Sequence, residues 1–215
     1  MKRYYTILKL FTIIFFIGTS IAFAECPNIP VPKLDLKFIY GPVNYINDKS
    51  NSQFPQRPHS SVAGLTFSEL SKTAQGDTVI AQDNKGNYCI YLSALYVEIG
   101  YPHIDVYIDK KYPSNSCNFR VIKDHENYHV RVQKEGLKFF ENKIRQAYQI
   151  VLEKHQPLTA YTENEAQKMA ENLVKDVEKQ IQPLIKYIQK RLEEKNLAID
   201  TQSAYKEEVK KCPQW

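Results

Sequence analysis

The alternation of apolar and polar side chains changes period once along this chain, near residue 115. Before that point the period is two. Leu34, Leu36 and Phe38 alternate with Asp35 and Lys37, and Ile104, Val106 and Ile108 alternate with Asp105 and Tyr107, as half-buried strands require. Further strands are predicted at residues 78–81 and 88–97. Pro102, just before the Ile104 run, marks that run as a strand start or a sheet edge. The polar stretch 47–61 predicts a loop. Thr66-Phe67-Ser68-Glu69-Leu70 reads as the opening of a short helix capped by Thr66 or Ser68.

From Ser116 onward the period is helical, and no proline occurs until Pro157. Leu137, Phe140, Ile144, Ala147 and Val151 recur at three- and four-residue steps and form one apolar stripe. After a turn near Pro157, Thr162-Glu163-Asn164-Glu165 has the pattern of a capping box. Ala166, Met169, Leu173, Val177, Leu184, Ile188 and Leu192 then form a second stripe. Two stripes joined by a short turn predict a long antiparallel helical hairpin, with a kink at Pro183. The expected fold class is α+β: a small antiparallel or mixed sheet packed on that hairpin. Residues 25–215 read as one domain, mainly β over 25–114 and mainly helical over 115–215, with no internal repeat.

Composition adds the compartment. With 43% apolar and 25% charged side chains, collagenous and wholly disordered classes are excluded. The first 24 residues hold Lys2, Arg3 and Lys9, no acid, an apolar run from Leu10 to Ile17, and Ala22-Phe23-Ala24 before Glu25. This is the pattern of a secretory signal cleaved after Ala24, and its apolar run is shorter than the roughly 20 residues that span a bilayer. Removing it takes 3 of the 29 basic residues and lowers the formal charge from +5 to +2. No face is then forced to be positive, so a nucleic-acid partner is not expected. Glu25 also disfavours lipid attachment at Cys26. The chain is expected to be secreted or periplasmic, with no stable membrane anchor after cleavage. An oxidising compartment lets the four cysteines pair in one of three connectivities, of which Cys89 with Cys117 and Cys26 with Cys212 is the expected one. No C-x-x-C spacing suggests a cysteine zinc site.

The chemistry concentrates in Asp124-His125-Glu126-Asn127-Tyr128-His129, which contains H-E-x-x-H. Histidines four apart on a helix share a face and both reach one zinc ion, while the adjacent glutamate acts as general base on a zinc-bound water. With 5 His and 15 Glu in 215 residues, chance supplies the pattern about 0.008 times. Both histidines fall on the side of the apolar stripe. For the third ligand, a metzincin-like site needs glycine at 132 and a ligand at 135, where the chain has Val132 and Glu135. Glu165 lies on the order of 35–40 Å along the hairpin from His125, and capping accounts for it. Antiparallel pairing returns residues 191–196 to His125. Asp200, on the chain leaving the second helix, is therefore the preferred metal ligand with His125 and His129. Glu193 and Glu194 point away from the stripe. Tyr205 is a candidate for stabilising an oxyanion. Tyr128 is read as packing, His59, His103 and Asp105 as loop or surface residues, and His155 as a helix-end cation.

The whole pattern resembles an uncharacterised bacterial family described as predicted secreted Zn-dependent proteases. The resemblance runs from about Ser61 to Tyr205: Val62-Ala63-Gly64-Leu65-Thr66 with Glu69-Leu70, then Cys89, the Val106 strand, Ser116-Cys117, H-E-N-Y-H, and Asp200-Thr201. It implies a zincin-like α+β domain with His125 and His129 among the zinc ligands and Glu126 as base. Where that family has His-Gly after the late Thr, this chain has Ser203-Ala204. The expected function is an exported zinc metallopeptidase acting on a peptide or protein that adds beside the Ile104–Ile108 strand. The alternative is a non-catalytic secreted envelope or interaction protein with a structural or vestigial metal site.

Overall fold

The structure, a computed structural model, describes residue 26, residues 29–55 and residues 63–215. The expected leader, His59 and the end of the 47–61 loop lie outside the described residues. Among the described residues the chain is mixed α+β, with two small mixed sheets and three α-helices. The order is β1 (Lys33–Tyr40), β2 (Val43–Ile46), a 3-10 turn (Asn51–Gln53), β3 (Gly64–Phe67), β4 (Ser71–Gln82), β5 (Tyr88–Tyr101), β6 (Ile104–Ile108), α1 (Cys117–Glu153), β7 (Leu158–Ala160), α2 (Glu163–Ile199) and α3 (Gln202–Val209).

β5 is central in the first sheet, parallel to β1 and antiparallel to β4, with β7 antiparallel to its first three residues. Its apolar positions change parity, from Ile90 and Leu92 to Leu95, Val97 and Ile99, all essentially fully buried. The register against β4 slips at Asp77/Thr78, where Ser93 has no opposite residue. One extra residue in a strand turns the next side chains to the other face, so the slip keeps both apolar sets in the core. The Ser93 hydroxyl donates to Asp77 O at 3.0 Å.

In the second sheet β6 lies between β2, parallel to it, and β3, antiparallel to it. Ile104–Ile108 is thus a centre strand, not the expected edge. Pro102 precedes the strand and removes no ladder bond from it. Thr66 and Phe67 also depart from expectation, ending strand β3 where a short helix over Thr66–Leu70, capped by Thr66 or Ser68, was predicted. Leu65 and Thr66 are buried there and pair with Tyr107 and Val106, so tertiary pairing overrides local capping tendency.

α1 begins because the Ser116 hydroxyl accepts from Phe119 N at 3.1 Å. α2 begins likewise at Thr162, which accepts from Glu165 N at 3.2 Å, while the Glu165 carboxylate takes Tyr161 N at 3.1 Å. Glu165 is therefore a cap residue at the far end of the molecule from His125. The two helices meet at Gly136, whose missing side chain leaves room for Leu192: a Cβ there would lie 2.3 Å from Leu192 Cδ2. They meet again at Tyr148, whose hydroxyl donates to Glu178 at 2.6 Å. Numbers rise along α1 as they fall along α2, so the helices run in opposite senses. Leu137, Ile144, Tyr148 and Leu152 of α1 and Leu173, Val177, Ile181 and Ile188 of α2 join Ile90, Leu92, Leu95 and Ile99 in one core. Of the predicted stripes, Ala147, Val151, Met169 and Leu184 are only half-buried, and Tyr148, Leu152, Ile181 and Ile185 take the inner positions. α2 runs on through Pro183, which is exposed.

The disulfides are Cys26–Cys89 and Cys117–Cys212, not the expected pairs. Cys89 stands opposite Thr159 of β7, just past the end of α1, whereas Cys117 is the first residue of α1. A helix of 37 residues spans about 55 Å, and a disulfide needs Cα atoms within about 7 Å. Each end of α1 therefore takes its own bridge. Among the described residues no helix is long and apolar enough to cross a membrane.

Three tyrosines set an alkaline limit on this core. Burial pushes Tyr101 up to about 12. Burial followed by the bond to Glu141 raises Tyr40, and burial followed by the bond to Glu178 raises Tyr148. A phenol whose folded pKa exceeds its unfolded value, about 10, contributes stability that is complete below about pH 10 and is lost as pH rises towards its folded value. Spectrophotometric titration near 295 nm is expected to show these three ionising late and together with unfolding. Their early ionisation in a folded chain would contradict the burial.

Candidate metal centre

Three side chains from separate points in the chain converge at the start of α1 and the end of α2. His125 and His129 lie one turn apart on α1, 4% and 7% exposed, and Glu126 between them is 2% exposed. Asp200 stands at the end of α2, because Thr201 is already the extended cap of α3, accepting from Ala204 N at 3.2 Å. The corner turns the Asp200 carboxylate under the two imidazoles.

The donor atoms form a nearly equilateral triangle. His125 Nε2 and His129 Nε2 are 3.2 Å apart, and Asp200 Oδ1 lies 3.0 Å from the first and 3.1 Å from the second. Tetrahedral zinc at about 2.0–2.1 Å from nitrogen and oxygen separates its ligands by about 3.3–3.4 Å. The residues fit such an ion with adjustments of a few tenths of an ångström. The outer nitrogens are also engaged: His125 Nδ1 lies 2.7 Å from Glu208 Oε1, and His129 Nδ1 lies 3.2 Å from Asn196 Oδ1. A hydrogen bond donated from Nδ1 fixes the tautomer that leaves the Nε2 lone pair for a metal. His125, His129 and Asp200 are together a group able to hold a metal ion.

Electrostatics points the same way. Burial opposes protonation of His125, but hydrogen bonds to Asp200 and Glu208 outweigh it and push the imidazole up to about 9. His129 is raised for the same reason, burial being outweighed by Asp200 and the charge of Glu126. Burial alone would raise Asp200, yet its bonds to the two histidines hold it well below the usual carboxylate range. Two protons or one divalent cation balance the carboxylates of Glu126, Asp200 and Glu208 to the same net charge. Protons and a metal compete for the same atoms.

Glu126 faces away from this triangle's outer partners and into β3. Burial raises its carboxyl, the charge of His129 opposing, and the Thr66 hydroxyl lies 2.8 Å from Glu126 Oε2 and 3.1 Å from Glu126 O. Gly64 makes the space: a Cβ there would lie 2.6 Å from Glu126 Oε1. No family model, no curated protein and no solved structure matches this chain.

The structure brings together all five residues chosen from the sequence. Tyr205 lies on α3 with its ring stacked on His125 at 5.2 Å between centroids and its hydroxyl donating to Asp200 Oδ1 at 2.7 Å. Glu193 and Glu194 are exposed on α2, as is Glu135 on α1. Asp105 accepts from Asn44 at the surface, away from the cluster. Tyr128, expected to pack, is 54% exposed with Arg131 over its ring. His155, expected to be a helix-end cation, is instead held down by burial. Thr66, Asn196 and Glu208 were not anticipated. Asn196 on α2 and Asp200 at its C-cap repeat the four-residue spacing of His125 and His129 on α1, a signal the sequence does carry.

Thr66→Val removes the hydroxyl that serves the buried Glu126 at nearly constant volume. It is expected to destabilise the fold by about 1–3 kcal/mol, read as a shift in the urea midpoint. An unchanged midpoint would mean that Glu126 is served by another donor.

Proposed function

We propose that this chain is an exported zinc-dependent metallopeptidase whose scaffold is the long helical hairpin bearing H-E-x-x-H on its first arm. The observation that carries this reading is the triangle of His125 Nε2, His129 Nε2 and Asp200 Oδ1 beside a buried carboxylate. His125, His129 and Asp200 would hold the ion. Zinc held there would supply Lewis-acid chemistry and a more acidic water.

The rest is done by the chain's own residues. Glu126, poised by burial towards a higher affinity for protons, takes a proton from the attacking water and delivers it to the leaving amine. Thr66 and Gly64 hold its carboxylate in place. Tyr205 offers a hydroxyl beside Asp200 as donor to a developing oxyanion. Since β6 is internal, an extended substrate is assigned to the outer strand β3, which touches Glu126 directly. The two disulfides support an oxidising, extracytoplasmic destination. The late Asp200-Thr201 segment supports the family resemblance to predicted secreted Zn-dependent proteases, with Asp200 in place of a histidine ligand.

One observation favours the alternative, a structural centre in a non-catalytic envelope protein: α3 lies against the cluster, with Tyr205 stacked on His125. Elemental analysis of the oxidised protein beginning at Glu25 separates the readings. About one zinc per chain is expected, lost in His125→Ala and His129→Ala. Glu126→Gln is expected to keep the metal and lose peptide hydrolysis by about 10²–10⁴-fold. Zinc with no hydrolysis by the wild type moves the assignment to the structural alternative, and no zinc uptake sinks both the metal and the mechanism.

A further inference from the structure

The C-terminal helix is an unusual support for a buried site, because it has no core of its own. None of the side chains of α3 is buried. Yet this helix places Glu208 Oε1 2.7 Å from His125 Nδ1, with Glu208 at 17% exposure and His125 at 4%. The contacts that fasten its far end lie beyond the helix, at residues 212–215. Cys212 is bonded to Cys117, the first residue of α1, two turns before His125. Asn118 donates to Gln214 O at 2.6 Å, and the Trp215 ring meets Tyr112 edge-on at 6.1 Å. On α3 itself Tyr205 stacks on His125 and donates to Asp200, and the covalent bridge adds the link that ties the far end of the segment to the start of α1.

We propose that Glu208 is the positioning carboxylate for His125, and that the Cys117–Cys212 disulfide is what keeps it there. The inference rests on the metal reading of the cluster. The carboxylate accepts the Nδ1 proton, fixes the ring's tautomer and orientation, and makes Nε2 a better donor, an effect that in metal sites is worth about 10- to 100-fold in affinity. The bridge confines α3 to the neighbourhood of His125, so that a short exposed helix delivers a hydrogen bond it is too weakly packed to hold alone.

Zinc affinity, measured against a chelating indicator in the oxidised full-length mature chain, tests this. Glu208→Leu is expected to weaken binding about 10- to 100-fold, and Glu208→Gln, whose amide oxygen still accepts from Nδ1, to recover most of that loss. Replacing both Cys117 and Cys212 by serine is expected to match Glu208→Leu, and adding Glu208→Leu to that pair to cost nothing more, since both changes remove one interaction. Replacing Cys26 and Cys89 by serine controls for general loosening and is expected to leave affinity unchanged, with circular dichroism confirming that every variant is folded. Equal binding by Glu208→Leu and wild type overturns the positioning role while leaving the metal centre intact. Equal losses in the Gln and Leu variants also overturn it, and additive losses in the combined variant overturn the role of the bridge. A folded wild type that takes up no zinc overturns the metal reading itself.

Discussion

The contact between α1 and α2 is the constraint on which the rest of this molecule depends. Two helices of 37 residues each run in opposite senses and approach closely enough that Gly136 has no room for a side chain against Leu192. Once that contact sets the register, two distant sequences become neighbours: His125 and His129 on one side, Asn196 and Asp200 on the other. Each pair is four residues apart and so presents one face of its helix. The site is a consequence of register, and a shift of one residue along either helix would rotate its donors by about 100° and disperse them.

The sheets serve the same end from the other side. β3 pairs with β6, and β6 follows directly from the long core strand β5. This fixes Gly64 and Thr66 against Glu126, so the carboxylate is bounded by backbone on one side and by a hydroxyl on the other. Two local features thus depend on long-range pairing: a glycine where only hydrogen fits, and a threonine whose hydroxyl has an acid to serve.

Much of this was legible in the sequence where the physics is local or arithmetical. H-E-x-x-H announces its own geometry, and the lengths of two helices joined by a short turn carry residue 200 back to residue 125. Capping at Thr162 is equally local and was read correctly. What stayed hidden was non-local. The cysteine pairing depends on which end of a helix about 55 Å long each cysteine reaches, and that follows from β7, a three-residue strand after Pro157 with too little pattern to detect. Thr66 and Phe67 form strand and not the expected helix because the partner that makes them one, β6, is distant in sequence. Glu208 stayed hidden because α3 buries none of its side chains and the segment after it is tied to α1 by a disulfide other than the expected ones.

The energetics of Glu126 bear on which kind of centre this is. A structural metal site closes its coordination with ligands and has no use for an additional buried acid. Here a carboxyl that is 2% exposed lies between two candidate ligands and carries the desolvation cost that raises its pKa. Burying an ionisable group costs several kcal/mol unless it is paired, and the chain offsets that cost with a dedicated hydroxyl and a glycine cavity. If Glu126 were only filling space, glutamine or leucine would fill it more cheaply. The proposed proton transfer gives an acid beside His125, His129 and Asp200 a use, which a structural clip in their place does not.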